Sequence, residues 1–203
     1  MIAIVDYGMG NVRSVQKALE HVGANVVLTA DRGTIESAQA LVVPGQGCFP
    51  DAMRALGALG LVEVLRGWPA TGKPFLGVCI GHQLIFDSSE EGEPVGGLGL
   101  LRGRVVRFPP GRKIPHMGWN AVQKTVAGRS CPLLEGVDDG AYFYFVHSYY
   151  PVPEDESVVA ATTEYTDTFA SVVWRDRLFS TQFHPEKSQA AGLRVLENFV
   201  SLL

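Results

Sequence analysis

The chain has 203 residues, of which 46% are hydrophobic and 19% are charged, and these proportions predict one globular domain spanning residues 1–203. The formal net charge is −4 and no block of like charges occurs, so neither nucleic acid nor a membrane surface is expected as a partner. No apolar run reaches the length of a membrane span, and no basic leader precedes the first strand-like segment. Three widely spaced cysteines, Cys48, Cys79 and Cys131, fit neither a disulfide framework nor a zinc site. The composition predicts a cytoplasmic protein with reduced thiols and no bound metal.

The first 43 residues predict parallel βαβ units. Apolar strands alternate with helices, which is typical of a parallel sheet with both faces covered. The strands are predicted at residues 2–5, 25–29 and 40–43, and the helices at residues 12–22 and about 34–38. Asn11 and Gly23 are suitable residues for the start and the end of the first helix. The Gly8-Met9-Gly10 loop has Arg13 where a dinucleotide-binding loop has its third glycine, so nucleotide binding is not favoured.

A glycine-flanked residue, Gln46, follows the third predicted strand. Gly45 and Gly47 on either side of it allow backbone N–H groups to turn towards a ligand at the carboxyl end of the sheet. A tight turn with no ligand explains the same residues equally well. Cys48 is interpreted as a small hydrophobic residue, because it has no elbow and no obvious base. Helices are predicted next, at residues 51–59 and 61–68.

The stretch from Pro74 to Ile85 joins an apolar strand to a helix through a cysteine. Cys79 has Gly77 and Gly81 two residues away on each side, which predicts a sharp strand-turn-helix elbow with strained backbone at the cysteine. The free N–H groups and the dipole of the helix would then favour a thiolate over a thiol. A buried structural cysteine is an equal alternative on these residues alone.

The C-terminal half predicts antiparallel strands. A polar, glycine-rich loop is expected at residues 88–99, followed by segments with alternating polarity. The strands are predicted at residues 101–108, 118–124, 141–149, 158–163, 171–174 and 178–183. Ser188 is expected to cap a final helix that runs to about residue 202.

Among five histidines, His184 is the strongest candidate for a base that serves Cys79. It follows the last predicted strand and begins the sequence His184-Pro185-Glu186. Because Pro185 favours an extended residue before it, and residues two apart share a face in an extended segment, Glu186 is predicted to lie beside the imidazole. A nucleophile, a base and an orienting carboxylate form a triad. The alternative is a strand-end histidine beside a surface glutamate.

The other four histidines are assigned no role as a base. His21 is expected to be a surface residue late in the first helix, and His82 a packing or polar-network residue on the elbow helix. His116 and His147 lie in sequences rich in aromatic residues, and both stay open as ligand or interface contacts.

Two motifs resemble those of the class I (triad) glutamine amidotransferases: Gly77-Val78-Cys79-Ile80-Gly81 and His184-Pro185-Glu186. Four further segments resemble the glutaminase subunits of imidazole glycerol phosphate synthase. They are Asp6-Tyr7-Gly8-Met9-Gly10-Asn11, Pro44-Gly45-Gln46-Gly47, Pro115-His116-Met117-Gly118-Trp119-Asn120 and Phe145-Val146-His147-Ser148-Tyr149. The resemblance covers nearly the whole chain. It implies an α/β, flavodoxin-like fold with a mostly parallel central sheet, helices on both faces and additional antiparallel strands.

The resemblance also implies a reaction. Cys79 would attack the carboxamide carbon of L-glutamine, with His184 as base and Glu186 as the orienting carboxylate, and water would hydrolyse the resulting glutamyl thioester to glutamate. No cofactor is expected. Backbone N–H groups of Ile80 and of Gln46 or Gly47 are implied as the oxyanion hole. The implied substrate-binding residues are Gln83, Glu91, Ser148 and Tyr149, although Gln83 and Ser148 also have ordinary polar-surface interpretations.

The same resemblance implies a partner. Family members form a heterodimer with a cyclase subunit, a (β/α)8 barrel that uses the ammonia in histidine biosynthesis. The implied interface residues are Asn11, Met117, Trp119 and Lys187, and methionine and aromatic residues are enriched at interfaces. Core packing is the alternative for Trp119. Gln46 stands where many relatives carry a smaller or aliphatic residue, and we hypothesise that its peptide rotates between a closed and a donating state that the partner favours.

Two rival functions share parts of this pattern. A different triad amidotransferase, or a thiol hydrolase acting on γ-glutamyl compounds, would keep the same triad, and the Met117-Gly118-Trp119 segment argues against both. A flavodoxin-like binding module without chemistry would need a phosphate-binding loop, which residues 8–10 supply poorly. Such a module also gives no reason for the His184-Pro185-Glu186 sequence.

Overall fold

A computed structural model describes all 203 residues. The strands, numbered in chain order, are β1 Ile2–Val5, β2 Val26–Thr29, β3 Ala40–Val43, β4 Phe75–Val78, β5 Ser88–Ser89, β6 Gly103–Arg107, β7 His116–Ala121, β8 Gln123–Lys124, β9 Tyr142–His147, β10 Tyr149–Pro153, β11 Val159–Glu164, β12 Thr168–Arg175 and β13 Leu178–Thr181. The α-helices are α1 Val12–His21, α2 Arg32–Ser37, α3 Phe49–Ala58, α4 Val62–Gly67, α5 Ile80–Leu84 and α6 Gln189–Ser201. Short 3-10 helices lie at Trp68–Thr71, Ala127–Ser130, Pro132–Leu134, Glu156–Val158 and Pro185–Lys187. None of these helices has both the length and the apolar character that a membrane crossing requires.

An eight-stranded sheet forms the centre of the molecule, in the order β2-β1-β3-β4-β13-β12-β11-β8. The first five strands in this order are parallel to one another, and the last three continue the sheet by antiparallel pairing. This arrangement confirms the predicted parallel half extended by antiparallel strands. It also places the carboxyl ends of β3, β4 and β13 side by side at one edge.

Buried side chains cover both faces of the sheet. Alternate residues of a strand point to opposite faces, so Ile2 and Ile4 of β1 join one core cluster while Ala3 and Val5 join the other. Helices α1 and α6 pack into the first cluster and α3 into the second. All four residues of β1, β3, β4 and β13 are buried, which explains why these strands are continuous apolar or small-residue runs.

Two of the predicted strands are each divided in the structure. The segment predicted as one strand at residues 141–149 breaks at Ser148, and β10 continues beyond it. β10 contains Pro151 and Pro153, and it pairs only with β6 at the edge of a three-stranded sheet, where proline is tolerated. The segment predicted at residues 118–124 is split between β7, which pairs with β9, and β8, which pairs with β11. Two residues of the predicted loop at 88–99 form β5.

The predicted helix caps are only partly correct. Gly23 has a φ of +85° just after α1 and ends it as expected. Asn11 and Ser188 occupy the N-cap positions of α1 and α6, but neither side chain makes a capping hydrogen bond. Ser188 Oγ instead donates to the His184 carbonyl at 2.6 Å and accepts from the Tyr144 amide at 3.0 Å. Its hydroxyl thus fixes the segment after β13 to β9.

Candidate active site

Cys79 sits on a strained elbow between β4 and α5. Its φ is +55° and its ψ is −103°, a conformation that non-glycine residues rarely adopt. A Cβ added to Gly81 would lie 1.9 Å from the Val43 carbonyl oxygen, and one added to Gly77 would lie 2.5 Å from the Gly81 carbonyl oxygen. The two glycines therefore let α5 approach β3 and β4 closely, as their spacing predicted.

Neighbouring strands bring His184 to the same edge of the sheet. Thr181 of β13 is paired with Val78 of β4, and the Cys79 amide continues this ladder by donating to the Thr181 carbonyl at 2.8 Å. His184 follows three residues after Thr181, with its own amide bonded to the Tyr144 carbonyl at 2.9 Å. The thiol and the imidazole are consequently positioned by adjacent parallel strands.

His184 and Glu186 form a buried pair. Nδ1 of His184 lies 2.8 Å from Oε1 of Glu186, and the two side chains are 2% and 1% exposed. The predicted proximity is confirmed, but its predicted cause is wrong for the second residue. His184 is extended, whereas Glu186 lies within the Pro185–Lys187 3-10 helix, and this turn brings the carboxylate back under the imidazole.

The charges around His184 favour its protonated form. Burial opposes protonation, but the negative charge of Cys79 and a side-chain interaction with it, together with the hydrogen bond and charge of Glu186, outweigh burial and raise the pKa of His184 to about 10. Nε2 of His184 is buried without a hydrogen-bond partner, so its contact with the Cys79 sulfur is electrostatic and not an aligned hydrogen bond. The sulfur lies 3.9 Å from the Val146 carbonyl oxygen. The raised pKa and the lack of another partner for Nε2 suit His184 to take the proton from the Cys79 thiol.

A pocket of about 400 Å³ opens above Cys79, a volume within the range of small-molecule sites. The residues that line it are Gln46, Gly47, Cys79, Ile80, Gln83, Glu91, Pro115, Tyr144, Val146, His147, Ser148, Tyr149 and Lys187. Every residue predicted for the oxyanion hole or for substrate binding is among them. His184 and Glu186 line a separate, narrow gap with Asn11 and Gln46.

Backbone N–H groups without acceptors lie at the bottom of this pocket. The amides of Gln46 and Gly47 donate to no group in the chain, and Ile80 is the first residue of α5, where N–H groups have no intrahelical acceptor. Gly10 packs directly against the loop, because a Cβ added to Gly10 would lie 2.7 Å from the Gln46 nitrogen. The peptide of Gln46 therefore packs against Gly10, and this close contact leaves no room for a side chain at residue 10.

Two predicted substrate-binding side chains are already held in place by neighbouring groups. Nε2 of Gln83 donates to the Tyr149 carbonyl at 2.9 Å. Oε2 of Glu91 accepts from the Phe49 amide at 2.8 Å, at the first turn of α3, and burial raises the pKa of Glu91 despite this bond. Both side chains line the pocket, so an amide and a carboxylate are presented to any ligand there.

The predicted interface residues fall into two groups. Met117 and Trp119 are 61% and 46% exposed on β7, so the core-packing alternative for Trp119 is wrong. Lys187 lines the pocket and holds its Nζ 5.9 Å from the centre of the Tyr144 ring, which also contacts the Trp119 ring edge-on at 6.2 Å between centroids. Asn11, by contrast, lies at the narrow gap beside the His184–Glu186 pair.

Tyr144 and Val146 line the pocket although no motif in the sequence pointed to them. In β9, Phe143, Phe145 and His147 are buried, whereas Tyr144 and Val146 on the other face are only half-buried and line the pocket. The period-two alternation across residues 142–147 was the signal that would have separated the two faces. Gln182 was predicted only as part of the strand at residues 178–183, and no site role was predicted for it. Its side chain contacts the Cys79 sulfur.

Three buried histidines make polar contacts near the pocket. His82 lies 2.6 Å from Ser180 Oγ and 3.1 Å from the Ala170 carbonyl oxygen, which confirms its predicted place in a polar network. Burial lowers the pKa of His82 to about 4. His116 Nδ1 and His147 Nε2 are 3.0 Å apart, and His147 reaches the pocket wall.

Comparison with known proteins places these features in a family. The glutamine amidotransferase class-I family model matches residues 3–202. The imidazole glycerol phosphate synthase subunit HisH of Syntrophotalea carbinolica is 52% identical over 206 residues, covering 98% of both chains. The subunit of the same name from Geobacillus kaustophilus is 51% identical over 208 residues, covering 100% of this chain and 97% of that one.

Solved structures share the fold at lower identity. The crystal structure of a glutamine amidotransferase superposes with a TM-score of 0.74 at 20% identity, covering 99% of this chain and 97% of the other. The PurLQS structure from Thermotoga maritima gives a TM-score of 0.74 at 19% identity, covering 98% and 97%. At these identities the likeness establishes the fold alone.

Proposed function

The chain belongs to the class I glutamine amidotransferases and, within them, to the HisH subunits of imidazole glycerol phosphate synthase, and from this premise we propose that Cys79, His184 and Glu186 release ammonia from L-glutamine. The observation that carries the proposal is the pairing of β4 with β13, which sets a strained cysteine and a buried His–Glu pair at one edge of the sheet. A structural cysteine gives no reason for the strain at Cys79 or for the unpartnered Nε2 of His184.

The proposed reaction has two halves. The Cys79 thiol gives its proton to His184 Nε2, and the sulfur attacks the carboxamide carbon of glutamine. The proton on Nε2 then passes to the leaving nitrogen, the C–N bond breaks, and ammonia departs from a glutamyl thioester. A water molecule, deprotonated by His184, attacks the thioester carbon. The C–S bond breaks, glutamate leaves, and the thiol is restored. Glu186 keeps the imidazole oriented and stabilises its charge.

Each half passes through an oxyanion, which we assign to the amide of Ile80 and to an amide of Gln46 or Gly47. The absence of any acceptor for these amides within the chain supports the assignment. Removing one such donor costs on the order of 3 kcal/mol of transition-state stabilisation. The Gln46 peptide, bracketed by two glycines, is proposed to rotate into its donating orientation when the partner and its ligand bind. Slow glutamine turnover by the isolated chain is the expected consequence.

The substrate is assigned to the 400 Å³ pocket, with contacts from Gln83, Glu91, Ser148 and Tyr149. Glu91 supplies a carboxylate that suits the α-ammonium group of an amino acid. No step in the reaction requires a cofactor, because the thiol, the imidazole and the backbone donors supply the nucleophile, the proton transfers and the oxyanion stabilisation.

The partner is proposed to be the cyclase subunit, a (β/α)8 barrel that receives the ammonia within a heterodimer. Exposed Met117 and Trp119 on β7, with Lys187 at the rim of the pocket, supply the apolar and cationic contacts of this surface, and Asn11 is assigned to its edge. Residues 1–203 would act in this heterodimer as one domain. Three free cysteines support a place in the reducing cytoplasm.

The deciding experiment measures glutamate formation from L-glutamine by the chain with and without its liganded cyclase partner. Cys79→Ala should abolish glutamate formation in both conditions. Cys48→Ala removes a partly exposed thiol outside the triad and serves as the matched control with normal turnover. Glutamate release by Cys79→Ala above the rate without protein would contradict the proposal. Equal turnover by the wild-type chain with and without partner would contradict only the rotation of the Gln46 peptide.

A further inference from the structure

Gln182 is a fully buried polar residue beside Cys79 that the triad leaves without a role. It follows β13 directly, and its backbone amide donates to the Ser171 carbonyl at 2.9 Å. Its side chain makes two contacts: Oε1 lies 3.2 Å from Gln83 Nε2, and Nε2 lies 4.0 Å from Cys79 Sγ. The carboxamide therefore stands between a pocket residue and the nucleophile.

These contacts settle which way the carboxamide of Gln182 faces. Gln83 Nε2 also donates to the Tyr149 carbonyl, an acceptor only, so the group of Gln83 that faces Gln182 is its NH2 group. The atom of Gln182 that meets this donor must then be the oxygen. As a result, the NH2 group of Gln182 is turned towards the sulfur, which is the only acceptor in contact with it.

A buried N–H group needs an acceptor, and a thiolate is a far better one than a neutral thiol. The 4.0 Å separation is long for a bond to a thiol, and hydrogen bonds to charged acceptors are shorter than those to neutral ones. Negative charge on sulfur would therefore draw the donor inwards and strengthen the contact. The carboxamide is held by Gln83 in the orientation that this requires.

We propose that Gln182 donates an N–H···S hydrogen bond that stabilises the thiolate of Cys79, with Gln83 holding the carboxamide in its donating orientation. The inference rests on the nucleophilic role proposed for Cys79 and adds a residue to the machinery of that reaction. It concerns both halves of the reaction, because the sulfur is negatively charged before it attacks glutamine and again when it is expelled from the thioester. Gln182 thus lowers the barrier to expulsion of the sulfur as well as supporting its first ionisation.

The pH dependence of thiol alkylation tests the proposal without requiring turnover. Iodoacetamide modifies a thiolate and not a thiol, and mass spectrometry of the Cys79 peptide reports this site alone. In Gln182→Leu, which removes the donor and keeps the bulk, alkylation at a pH below the midpoints of both proteins should slow roughly tenfold, the size of one charged hydrogen bond. The midpoint of the alkylation profile should rise by about one pH unit. At high pH, where the sulfur is ionised in both proteins, the two rates should converge.

Convergence of the two rates at high pH distinguishes a loss of thiolate stabilisation from a packing defect, which would slow alkylation at every pH. A Gln182→Leu profile that superposes on the wild type would overturn the inference, as would one that is slowed by the same factor at every pH. Should Gln182→Leu fail to fold, Gln182→Met carries the same expectation. Asn198→Leu is the matched control, because Asn198 is a buried amide on α6 bonded only to the Leu133 and Glu135 carbonyls, and its loss should leave the midpoint unchanged.

Two more readouts separate this inference from the proposed function. Gln83→Leu frees the carboxamide of Gln182 to rotate, so the alkylation midpoint should move in the same direction by a smaller amount. In the presence of the cyclase partner, Gln182→Leu should lower kcat more than it changes KM. If Cys79→Ala abolishes glutamate formation but the midpoint in Gln182→Leu is unchanged, only the role of Gln182 fails. If Cys79→Ala is active, the function itself fails.

Discussion

The amide nitrogen of Cys79 donates a 2.8 Å hydrogen bond to the carbonyl oxygen of Thr181, and this bond joins the proposed nucleophile to the strand that precedes its proposed base, His184. One strand leads into the elbow, and the other leads three residues later into His184. Backbone pairing within the sheet thus places the thiol of Cys79 and the imidazole of His184 close to each other. The Glu186 carboxylate then orients the imidazole, and Ser188 Oγ fixes the His184 backbone by donating to its carbonyl oxygen.

Gly81→Ala should dislodge the elbow. The added methyl group would lie 1.9 Å from the Val43 carbonyl oxygen, which belongs to β3 and has no room to yield. We expect a loss of about 3 kcal/mol in the free energy of unfolding, measured by urea denaturation, together with loss of glutaminase activity. Gly57→Ala is the control, because Gly57 lies exposed in α3 with no atom within 4 Å of an added Cβ. It should gain up to about 1 kcal/mol, and equal destabilisation by both changes would refute the packing argument.

Gly10→Ala should impair catalysis more than stability. Both Gly8 and Gly10 have a positive φ, +80° and +92°, so alanine at either position costs about 1 kcal/mol of backbone strain. Only at Gly10 would the methyl group strike the Gln46 amide, at 2.7 Å, whereas at Gly8 it meets no atom within 4 Å. Stimulated glutamate formation should therefore fall at least tenfold in Gly10→Ala and remain near normal in Gly8→Ala. Equal activity of the two variants would show that the contact with Gly10 does not position the Gln46 amide for catalysis.

Acid should destabilise the fold through the buried side chain of His82. Burial lowers the pKa of His82 to about 4, below the value of about 6.5 for an unfolded histidine. Between these two values the unfolded chain takes up a proton at His82 and the folded chain does not. The contribution of His82 to the free energy of unfolding is therefore fully present above pH 6.5 and is lost as the pH falls towards 4. The expected loss from His82 alone is about 3 kcal/mol by pH 4.

Urea denaturation of His82→Gln at pH 7 and at pH 4.5 measures this contribution. The variant should be less stable at pH 7, since Ser180 and Ala170 lose their partner, but its stability should depend less steeply on pH. His21→Gln, at an exposed position on α1, is the control that should retain the wild-type pH dependence. Identical slopes for His82→Gln and wild type would show that His82 does not carry the effect.

Trp119→Ala should weaken binding of the cyclase partner. The exposed indole stands on β7 against the edge of the Tyr144 ring, and large aromatic residues dominate the binding energy of protein interfaces. Titration calorimetry with the cyclase subunit should show a dissociation constant raised at least tenfold. Val126→Ala truncates a side chain that is 87% exposed outside β7 and should bind normally. A Trp119→Ala variant that binds as tightly as Val126→Ala would exclude β7 from the interface.

The sequence by itself determined the features that depend on neighbours along the chain. The apolar runs at β1, β3 and β4, the elbow at Cys79 and the proximity of His184 to Glu186 all follow from patterns within a few residues, where backbone geometry is dictated locally. The resemblance of those motifs to a known family then supplied the chemistry. The same local rules misassigned Ser188, since a serine before a helix is usually a cap, and here a strand distant in sequence offers its hydroxyl a better partner.

Only the tertiary structure decided the relationships between segments distant in sequence. The register of β13 on β4, the division of residues 141–149 into β9 and β10, and the approach of Gln182 to Cys79 depend on which strands lie side by side. Pairing of that kind is set by burial of both sheet faces across the whole chain, and no short pattern carries it. For the same reason, the flanking glycines identified the amides of Gln46 and Gly47 as candidate oxyanion donors, but only the tertiary structure showed that these amides have no acceptor within the chain.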